Sequence, residues 1–356
     1  MASKIRVGIV GAGWVAVNRH LPALEGFEGV EVRQIWSRQS EKAHKVAGDF
    51  GIPEVAASWE KIVESSELDA VIVATPPVLH HRVTLAALSA GKHVLCQGRM
   101  ARNLKEAREM LQAAEASNLV TALYPPRPGL KGDRVVRRLL HDEKFVGDIR
   151  EVRLTSLSYV EETSDYAWTE DPDICGVNAM TLGLWAEVLN RWVGPSARVA
   201  AFGQSYRKQR KTVSGEWAEA VVPDSLALSA KLENGASATY HFSSRAASGP
   251  GHSLEVYGSR GALVYKFFAE EIHGASGGAG TLQPIPIPES EERFHTTDAE
   301  FIQAIQGGPK VSPDFAEGVR YTAFCEAVAL SVKEGNEVDL SHLQPSMFNW
   351  GKRLDD

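Results

Sequence analysis

The chain has 356 residues, of which 44% are hydrophobic and 23% are charged, and its formal net charge is −7. This length exceeds what one core of ordinary size needs, so two domains are expected. The negative charge argues against a nucleic-acid-binding surface, which needs a concentrated basic face. The three cysteines lie far apart, which favours neither a disulfide framework nor a metal site. We expect a cytoplasmic protein without membrane contacts, because no signal-peptide pattern and no apolar run of about 20 residues occurs.

The first third of the chain alternates short apolar segments with longer amphipathic ones. The short segments are predicted to be buried strands, at Ile5–Val10, Val30–Trp36, Ala70–Ala74, His93–Cys96 and Val120–Leu123. The longer segments are predicted to be helices, at Glu41–Phe50, Leu79–Ala90 and Leu104–Ala116. Asn103 and Glu106 form a predicted capping box before the last helix. Such alternation builds a parallel sheet, so residues 1–124 are predicted to form a doubly wound α/β domain of the Rossmann type.

A glycine-rich turn follows the first predicted strand. Gly11, Gly13 and Ala16 form the pattern G-x-G-x-x-A, with Trp14 and Val15 inside it. The first glycine permits a tight bend, the second lets the backbone approach a pyrophosphate, and the alanine allows close packing of helix on strand. Because the pattern directly follows a strand and opens a strand–helix–strand unit, we predict a dinucleotide site that includes Gly11, Gly13, Trp14 and Val15.

The end of the second predicted strand distinguishes the two nicotinamide cofactors. A carboxylate there would bind the ribose 2′-hydroxyl of NAD, whereas arginine accommodates the 2′-phosphate of NADP. The strand ends in Trp36-Ser37-Arg38, without a carboxylate. Ser37 can donate a hydrogen bond to the phosphate and Arg38 can form a charge-assisted one, although Arg38 can also be an exposed turn residue. The predicted cofactor is NADP, with NAD as the alternative.

Beyond Tyr124 the pattern changes. Pro125, Pro126 and Pro128 predict a domain crossover, because proline continues neither a strand nor a helix comfortably. A basic helix at about Lys131–His141 precedes six predicted strands, at Ile149–Leu157, Val199–Phe202, Ser225–Leu232, Ala236–Phe242, Ser253–Tyr257 and Ala262–Phe267. A glycine-rich loop is predicted at His273–Gly280, and helices near Thr297–Gln306 and Phe315–Lys333. Residues 125–356 are therefore predicted to form an α+β domain on a largely antiparallel open sheet.

These motifs resemble those of the Gfo/Idh/MocA family, which includes glucose–fructose oxidoreductase and inositol dehydrogenase. The resemblance extends from about Arg6 to Leu340 and includes, besides the glycine turn, the segments His20–Leu24, Ala74–Pro77 with His80, Gly91–Cys96, Asp224–Ser225, Asn234–Ala236, Gly258–Gly261 and Glu317–Arg320. It implies a second domain that binds substrate and often supports oligomers, here a homodimer or homotetramer. It also implies hydride transfer between NAD(P) and, usually, a carbon of a sugar or polyol.

The resemblance implies further positions near the cofactor. Thr75 and Pro76 would end the fourth strand against it, and His80 would lie near it at the start of the next helix. Gln97 takes a position that usually holds a glutamate in contact with the nicotinamide ribose, and we include the adjacent Gly98 among the predicted cofactor-binding residues. For His80, helix capping or a surface position is an equally good interpretation.

Three residues that the family usually uses for catalysis are absent. The family's lysine in E-K-P is Gly98 here, and the aspartate and histidine of its second signature are Thr181 and Trp185. Oxidation of an alcohol needs an acid–base group whose pKa lies near the working pH. The sequence therefore indicates a proton-transfer apparatus that is either rebuilt or lost.

Three other residues are candidates for a rebuilt apparatus. Tyr124 can donate a proton, but its unperturbed pKa of about 10 would have to fall for it to act as a base; packing is the alternative role. Arg99 can bind a carboxylate or phosphate of the substrate, or else the pyrophosphate or a surface carboxylate. Asp173, or its neighbour Asp171, can replace the lost carboxylate.

We therefore predict an oxidoreductase that prefers NADP(H) and acts on a sugar-like or other small hydroxyl, carbonyl, imine or enone substrate. One alternative is a redox-neutral lyase or hydrolase-type enzyme that uses bound cofactor. The other is a cofactor-binding protein without catalysis. The expected partner is a small molecule rather than nucleic acid or membrane.

Overall fold

The computed structural model describes residues 4–125, 130–161, 167–211, 215–278, 280–293, 296–344, 348 and 350. The chain divides into two compact units, one formed by Met1–Pro128 with His295–Val319 and the other by Gly129–Phe294 with Arg320–Asp356. Pro126 and Pro128 of the predicted crossover lie outside the described residues. No helix among the described residues has the length and apolar character needed to cross a membrane.

The first unit is built on a parallel sheet of six strands. They are β1 (Ile5–Val10), β2 (Val30–Trp36), β3 (Glu54–Val55), β4 (Ala70–Val73), β5 (His93–Gln97) and β6 (Thr121–Tyr124), in the spatial order β3-β2-β1-β4-β5-β6. Strand β4 is buried along its whole length, as expected when helices cover both faces of a parallel sheet. The chain runs outward from β1 in both directions, which is the doubly wound topology. The predicted fold class is confirmed for this unit.

Ten α-helices occur among the described residues of the two units. They are α1 (Leu21–Glu25), α2 (Ser40–Phe50), α3 (Trp59–Glu64), α4 (His80–Ser89), α5 (Leu104–Glu115), α6 (Asp133–Arg137), α7 (Pro172–Cys175), α8 (Leu182–Val193), α9 (Thr297–Ile305) and α10 (Phe315–Glu334). π-Helical turns precede α1 and follow α6, at Ala16–His20 and Arg138–Asp142. At α5, Asn103 Oδ1 accepts a hydrogen bond from the Glu106 N–H (3.0 Å), while the Glu106 carboxylate accepts from Arg102 N (3.0 Å). In a capping box this carboxylate would accept from the N–H of Asn103, the N-cap residue. Here it accepts from the N–H of Arg102, one residue earlier.

The second unit is built on a mixed sheet of nine strands. They are β7 (Ile149–Leu157), β8 (Ser196–Gln204), β11 (Ser225–Leu232), β12 (Ser237–Ser243), β13 (His252–Gly258), β14 (Gly261–Lys266), β15 (Glu271–Ser276), β16 (Gln283–Ile285) and β17 (Val338–Asp339), in the order β16-β15-β14-β13-β7-β12-β11-β8-β17. β9 (Gln209–Lys211) and β10 (Trp217–Glu219) form a separate pair. All neighbours in the large sheet are antiparallel except β12 and β7. The predicted antiparallel open sheet is confirmed.

The loop predicted at His273–Gly280 is wrong over its first half. Glu271–Ser276 is a strand with partners on both sides. Glycine stands at position 274 because a Cβ there would lie 2.8 Å from a ring carbon of Phe145. The glycine content therefore reflects close packing at this position rather than a loop.

One face of the large sheet is packed and the other is open. Along β11, Leu226, Leu228 and Ala230 are buried while the intervening residues are exposed, which is the two-residue alternation of a sheet with one covered face. On the open face the side chain of Phe202 in β8 is 68% exposed.

Candidate functional site

The glycine turn lies where β1, β2 and β4 end. The Gly11 N–H donates a hydrogen bond to the Trp36 carbonyl at the end of β2 (2.7 Å). The φ of Gly11 is +121°, and a Cβ at this position would lie 2.3 Å from the carbonyl oxygen of Ala74. Only glycine can satisfy both conditions, so the protein itself imposes the bend at Gly11.

The second glycine of the turn is different, because the protein leaves room beside it. A Cβ at Gly13 would meet only the Ala74 carbonyl oxygen, at 3.9 Å. The Gly13 carbonyl accepts the hydrogen bond of Val17 N (3.1 Å), so a helix starts directly after it. Within this start Trp14 is exposed, with the Arg19 guanidinium carbon 5.3 Å from its ring centroid, and Val15 is half-buried. Backbone accessible to a ligand therefore continues from Gly13 into a helix.

The end of β4 contributes a buried polar atom to the same edge of the sheet. The Thr75 hydroxyl is buried and has no hydrogen-bond partner among the described residues. The next residue, Pro76, is half-buried and precedes the 3₁₀ turn Pro77–Leu79 that leads into α4. A buried hydroxyl without a partner is destabilising unless a bound group or water satisfies it. Together with the space at Gly13, this atom fits a polar ligand such as a dinucleotide.

His80 holds the neighbouring segments together. It is 1% exposed, and its Nε2 and Nδ1 face the carbonyl oxygens of Thr75 (2.5 Å) and Arg99 (2.9 Å). Burial lowers the pKa of His80, although these carbonyls partly oppose the shift. Because the folded-state pKa is lowered, acidification through the ordinary histidine pKa of about 6.5 destabilises this arrangement. A neutral imidazole carries one N–H and donates it to one of these carbonyls, so the buried ring links the Thr75 and Arg99 segments. The predicted contact of His80 with the cofactor stays a prediction.

The positions where the usual glutamate and lysine are missing are the last residue of β5 and the residue that follows it. Gln97 and Gly98 are half-buried, and the Gly98 N–H donates to the Tyr124 carbonyl (2.8 Å). Arg99 is 8% exposed, so its side chain is buried. Gly98 lies at the carboxyl edge of the sheet and carries no side chain that can exchange a proton.

Tyr124 is part of the core of the first unit. It is 2% exposed, and its ring centroid lies 4.3 Å from that of His20 in an edge-on contact. Burial and the Asp298 carboxylate raise the pKa of Tyr124, whereas a catalytic base would need a lowered one. The structure thus favours packing over base catalysis for this residue.

His20 and Asp298 form a buried pair that sequence reasoning missed. His20 Nδ1 lies 2.6 Å from Asp298 Oδ1, and both side chains are fully buried. The pair joins α9 to the helical segment that follows the glycine turn. The two residues are 278 positions apart, and no local pattern links them.

The tip of β2 presents a cation beside the glycine turn. Arg38 is exposed. The Ser37 hydroxyl accepts the Gln39 N–H at 3.3 Å. Gly11 bonds to Trp36, the last residue of β2, so the Ser37-Arg38 tip directly follows a strand end that is fixed to the turn.

In the second unit, the residues at the positions of the missing aspartate and histidine, Thr181 and Trp185, both contact the Ser156 side chain. The Ser156 hydroxyl lies 3.1 Å from Thr181 Oγ1 and accepts the indole N–H of Trp185 at 2.8 Å. Ser156 Oγ also lies 2.8 Å from His252 Nδ1, because Ser156 and His252 are opposite each other in the antiparallel register of β7 and β13. Sequence reasoning missed both residues, since neither belongs to a motif.

The two carboxylates proposed as replacements lie near the start of α7. Asp171 is its N-cap, with Oδ1 accepting the Asp173 N–H at 2.9 Å. Asp173 is exposed in the first turn of this short helix. The carboxylate of Asp171 is thus used for capping.

Comparison with known proteins agrees with this geometry. Residues 5–124 match the Gfo/Idh/MocA oxidoreductase family, described as an NAD-binding Rossmann fold. Residues 134–264 match the Gfo/Idh/MocA C-terminal domain. The chain therefore belongs to the Gfo/Idh/MocA family of oxidoreductases.

Similar proteins include several named dehydrogenases. Levoglucosan dehydrogenase of Pseudarthrobacter phenanthrenivorans is 23% identical over 96% of this chain and 99% of its own length. The scyllo-inositol 2-dehydrogenase (NADP(+)) of Bacillus subtilis is 30% identical over 46% of this chain and 47% of its own. Glucose-fructose oxidoreductase domain-containing protein 2 of Xenopus tropicalis is 26% identical over 88% of this chain and 79% of its own length. A structure of levoglucosan dehydrogenase in complex with NADH has the same fold, with a TM-score of 0.82, 21% identity and coverage of 95% of this chain and 99% of that one.

Proposed function

We propose that this member of the Gfo/Idh/MocA family is an oxidoreductase that prefers NADP(H) and acts on a hydroxyl or carbonyl carbon of a small, sugar-like molecule. The observation that carries the proposal is the glycine turn, where Gly11 is fixed by the protein and Gly13 is left open. Gly11, Gly13 and the backbone of Trp14 and Val15 would hold the pyrophosphate. The unpartnered Thr75 hydroxyl would meet a polar group of the same ligand.

Residues at the carboxyl edge of the parallel sheet would make the remaining contacts with the cofactor. Gln97 and Gly98 would lie beside the nicotinamide ribose, with Pro76 against the cofactor on the neighbouring strand. When bound, the nicotinamide accepts or donates a hydride, which is the step that the protein's own side chains cannot supply. A sugar-like substrate is supported by relatives named for levoglucosan and scyllo-inositol.

Preference for NADP rests on Arg38. We expect Arg38→Ala to weaken NADP+ binding about 10- to 100-fold, because a hydrogen bond to a charged group contributes roughly 1.5–3 kcal/mol. NAD+ binding should stay within about threefold of wild type, because NAD+ has no 2′-phosphate. Dissociation constants from fluorescence titration with each dinucleotide measure both effects.

The matched control for Arg38 is Arg33→Ala. Arg33 lies within β2, the strand that precedes Arg38, but its guanidinium is paired with Glu31 at 3.2 Å and Glu67 at 3.5 Å. Its loss should leave the affinity for both dinucleotides unchanged. A wild-type preference for NAD+, or an equal loss of both dinucleotides in Arg38→Ala, contradicts the assignment.

Turnover separates an oxidoreductase from the two alternatives. The purified chain is incubated with NADP+ or NAD+ and a panel of sugars, anhydrosugars and inositols, including levoglucosan and scyllo-inositol, and with their ketones and NADPH. Absorbance change at 340 nm supports the proposal. Product without net change in absorbance favours redox-neutral chemistry, and dinucleotide binding without any product favours a non-catalytic binding protein.

We also propose that the open face of the large sheet pairs two copies of the chain into a homodimer or within a homotetramer. The apolar side chains of Phe202, Ala200 and Ala227 lie together on this face, and contiguous exposed apolar surface marks interfaces. Sedimentation at micromolar concentration should show a dimer or tetramer, and Phe202→Arg should shift it toward the monomer. Trp217→Ser, in the separate strand pair and 62% exposed, is the control. A wild-type monomer overturns the proposal.

A further inference from the structure

An aromatic ring and a cation lie together directly after the glycine turn of the first unit. Trp14 follows Gly13 and is 64% exposed. The guanidinium carbon of Arg19, a half-buried residue, lies 5.3 Å from the centroid of the Trp14 ring, which is within the range of a cation–π contact. We call these two residues the indole–arginine pair. The pair carries a full positive charge beside the turn.

The backbone explains how the two side chains meet. The helical segment after the turn covers residues 14–25, and its part Ala16–His20 is a π turn. In an α-helix with about 3.6 residues per turn, two residues five positions apart lie roughly 140° apart around the axis. A π turn closes its hydrogen bond over five residues, which brings Arg19 back toward Trp14. The Asn18 amide also donates to the Trp14 carbonyl (2.8 Å) and fixes the main chain there.

A second observation places the charge of Arg19 at the carboxyl edge of the parallel sheet. Burial and Asp298 raise the pKa of Tyr124, the last residue of β6, and Arg19 partly opposes this rise. Charges influence one another mainly within about 10 Å, so the Arg19 guanidinium lies near this strand end as well as near the turn. Arg38 follows β2, which lies on the other side of β1 in the sheet.

A cation in this place suits the central part of a dinucleotide. In a Rossmann fold the diphosphate lies at the start of the helix that follows the glycine turn. Main-chain N–H groups there offer only partial charge, whereas a guanidinium offers a full charge and a fork of donors that matches two phosphate oxygens. A cation–π contact uses the charge and leaves the N–H donors in the guanidinium plane, so Arg19 can keep its contact with Trp14 while it binds a phosphate.

We propose that Arg19, positioned by Trp14, binds the diphosphate of the dinucleotide; this rests on the dinucleotide binding that the proposed function assumes. Because NADP+ and NAD+ share the diphosphate, Arg19 contributes equally to the affinity for both. Arg38 is assigned to the 2′-phosphate, which only NADP+ carries. One arginine thus strengthens binding of either dinucleotide, and the other selects between them.

The test measures dissociation constants by titration calorimetry for NADP+, NAD+ and ADP-ribose, which keeps the diphosphate and lacks the nicotinamide. Arg19→Gln should weaken binding of all three about tenfold, because it removes a charged hydrogen-bond donor. The ratio of NADP+ to NAD+ affinity should stay as in wild type, unlike in Arg38→Ala. Arg19→Lys should be intermediate, because lysine keeps the charge and loses the fork.

Two further readouts test the positioning role of Trp14. Trp14→Leu should weaken binding of all three ligands about two- to fivefold, and Trp14→Phe should restore most of this loss because a phenyl ring still offers a π face. Raising salt should weaken NAD+ binding more in wild type than in Arg19→Gln, since salt screens exposed charges. A purely structural tryptophan would not be replaced by phenylalanine in this ligand-specific way.

The matched control is Lys211→Gln. Lys211 Nζ lies 5.5 Å from the ring centroid of Trp217, so this is a cation–π pair of the same kind in the second unit. Its loss should leave every dissociation constant unchanged. Circular dichroism confirms that each variant is folded.

Binding is measured without turnover, so this proposal and the proposed oxidoreductase function fail separately. Unchanged affinity for NAD+ and ADP-ribose in Arg19→Gln overturns the role of Arg19, even if wild type oxidises a sugar. A loss confined to NADP+, or one that spares ADP-ribose, overturns the assignment to the diphosphate. Equal losses for the three ligands support it, even if no substrate of the panel is turned over and the proposed activity fails. If wild type binds none of the three, both proposals are overturned.

Discussion

Gly11→Ala should both destabilise the protein and abolish dinucleotide binding. The φ of Gly11 is +121°, a value that glycine adopts without strain and that residues with a side chain avoid. Forcing a residue with a side chain into such a conformation costs about 1–3 kcal/mol. The added Cβ would also lie 2.3 Å from the Ala74 carbonyl oxygen, a main-chain atom that cannot turn away. We expect Tm to fall by roughly 2–12 °C and binding of NADP+ or NAD+ to become undetectable by titration.

Gly13→Ala is the matched control on the same turn. Its Cβ would meet only one atom, at 3.9 Å, so unfolding free energy should change by no more than about 0.5–1 kcal/mol. Dinucleotide affinity should nevertheless fall at least about tenfold, because the methyl group would occupy the path of the pyrophosphate. We thus assign Gly11 mainly to the fold and Gly13 mainly to ligand access. Equal losses of stability in the two variants would contradict this assignment, as would unchanged dinucleotide affinity in Gly13→Ala.

Asp133→Ala should strongly destabilise the second unit. Asp133 is 1% exposed; its Oδ1 accepts hydrogen bonds from Arg191 and from Trp192 Nε1 (2.7 Å), and its Oδ2 accepts from Arg293 (2.8 Å). Removing one partner of a buried ionic network leaves uncompensated charge, which costs about 3–5 kcal/mol. Urea unfolding, followed by circular dichroism, measures this loss.

A surface pair of the same unit provides the comparison for Asp133. Glu271 and Lys266 form an exposed ion pair at 3.3 Å, and pairs of this kind contribute about 0–1 kcal/mol. Glu271→Ala should therefore lower stability by less than about 1 kcal/mol. A loss of similar size in Asp133→Ala and Glu271→Ala is the result that would refute a dominant role for the buried network.

The pH dependence of the Asp133 network has a definite sign. Burial by itself raises the pKa of Asp133, but Arg191 and Arg293 outweigh it, so that the pKa is lowered overall. A carboxylate whose pKa is lower in the folded than in the unfolded chain stabilises the fold above its unfolded pKa, which is about 3.9 for aspartate. The contribution of Asp133 to stability should therefore be complete at neutral pH and lost only in stronger acid. The stability difference between wild type and Asp133→Ala should therefore narrow below about pH 4.

The sequence predicted most of the long strands because their signals are local. Ile5–Val10, Val30–Trp36, Ile149–Leu157 and Ser225–Leu232 match the structure at both ends, since β-branched runs bounded by turn residues define strands without reference to the rest of the chain. The two-residue β3 was missed, because Glu54–Val55 is too short to form a pattern. The glycine turn could be predicted equally well, since the bend at Gly11 depends on the backbone conformation of that residue alone.

The sequence by itself determined the fold class, the family and the glycine turn, because periodicity and turn chemistry act over a few neighbouring residues. Only the tertiary structure decided which side chains meet. His20 reaches Asp298, His80 joins two strand ends, and Ser156 meets His252 because β7 and β13 are neighbours in one register. Strand order and register set these contacts between residues far apart in the chain.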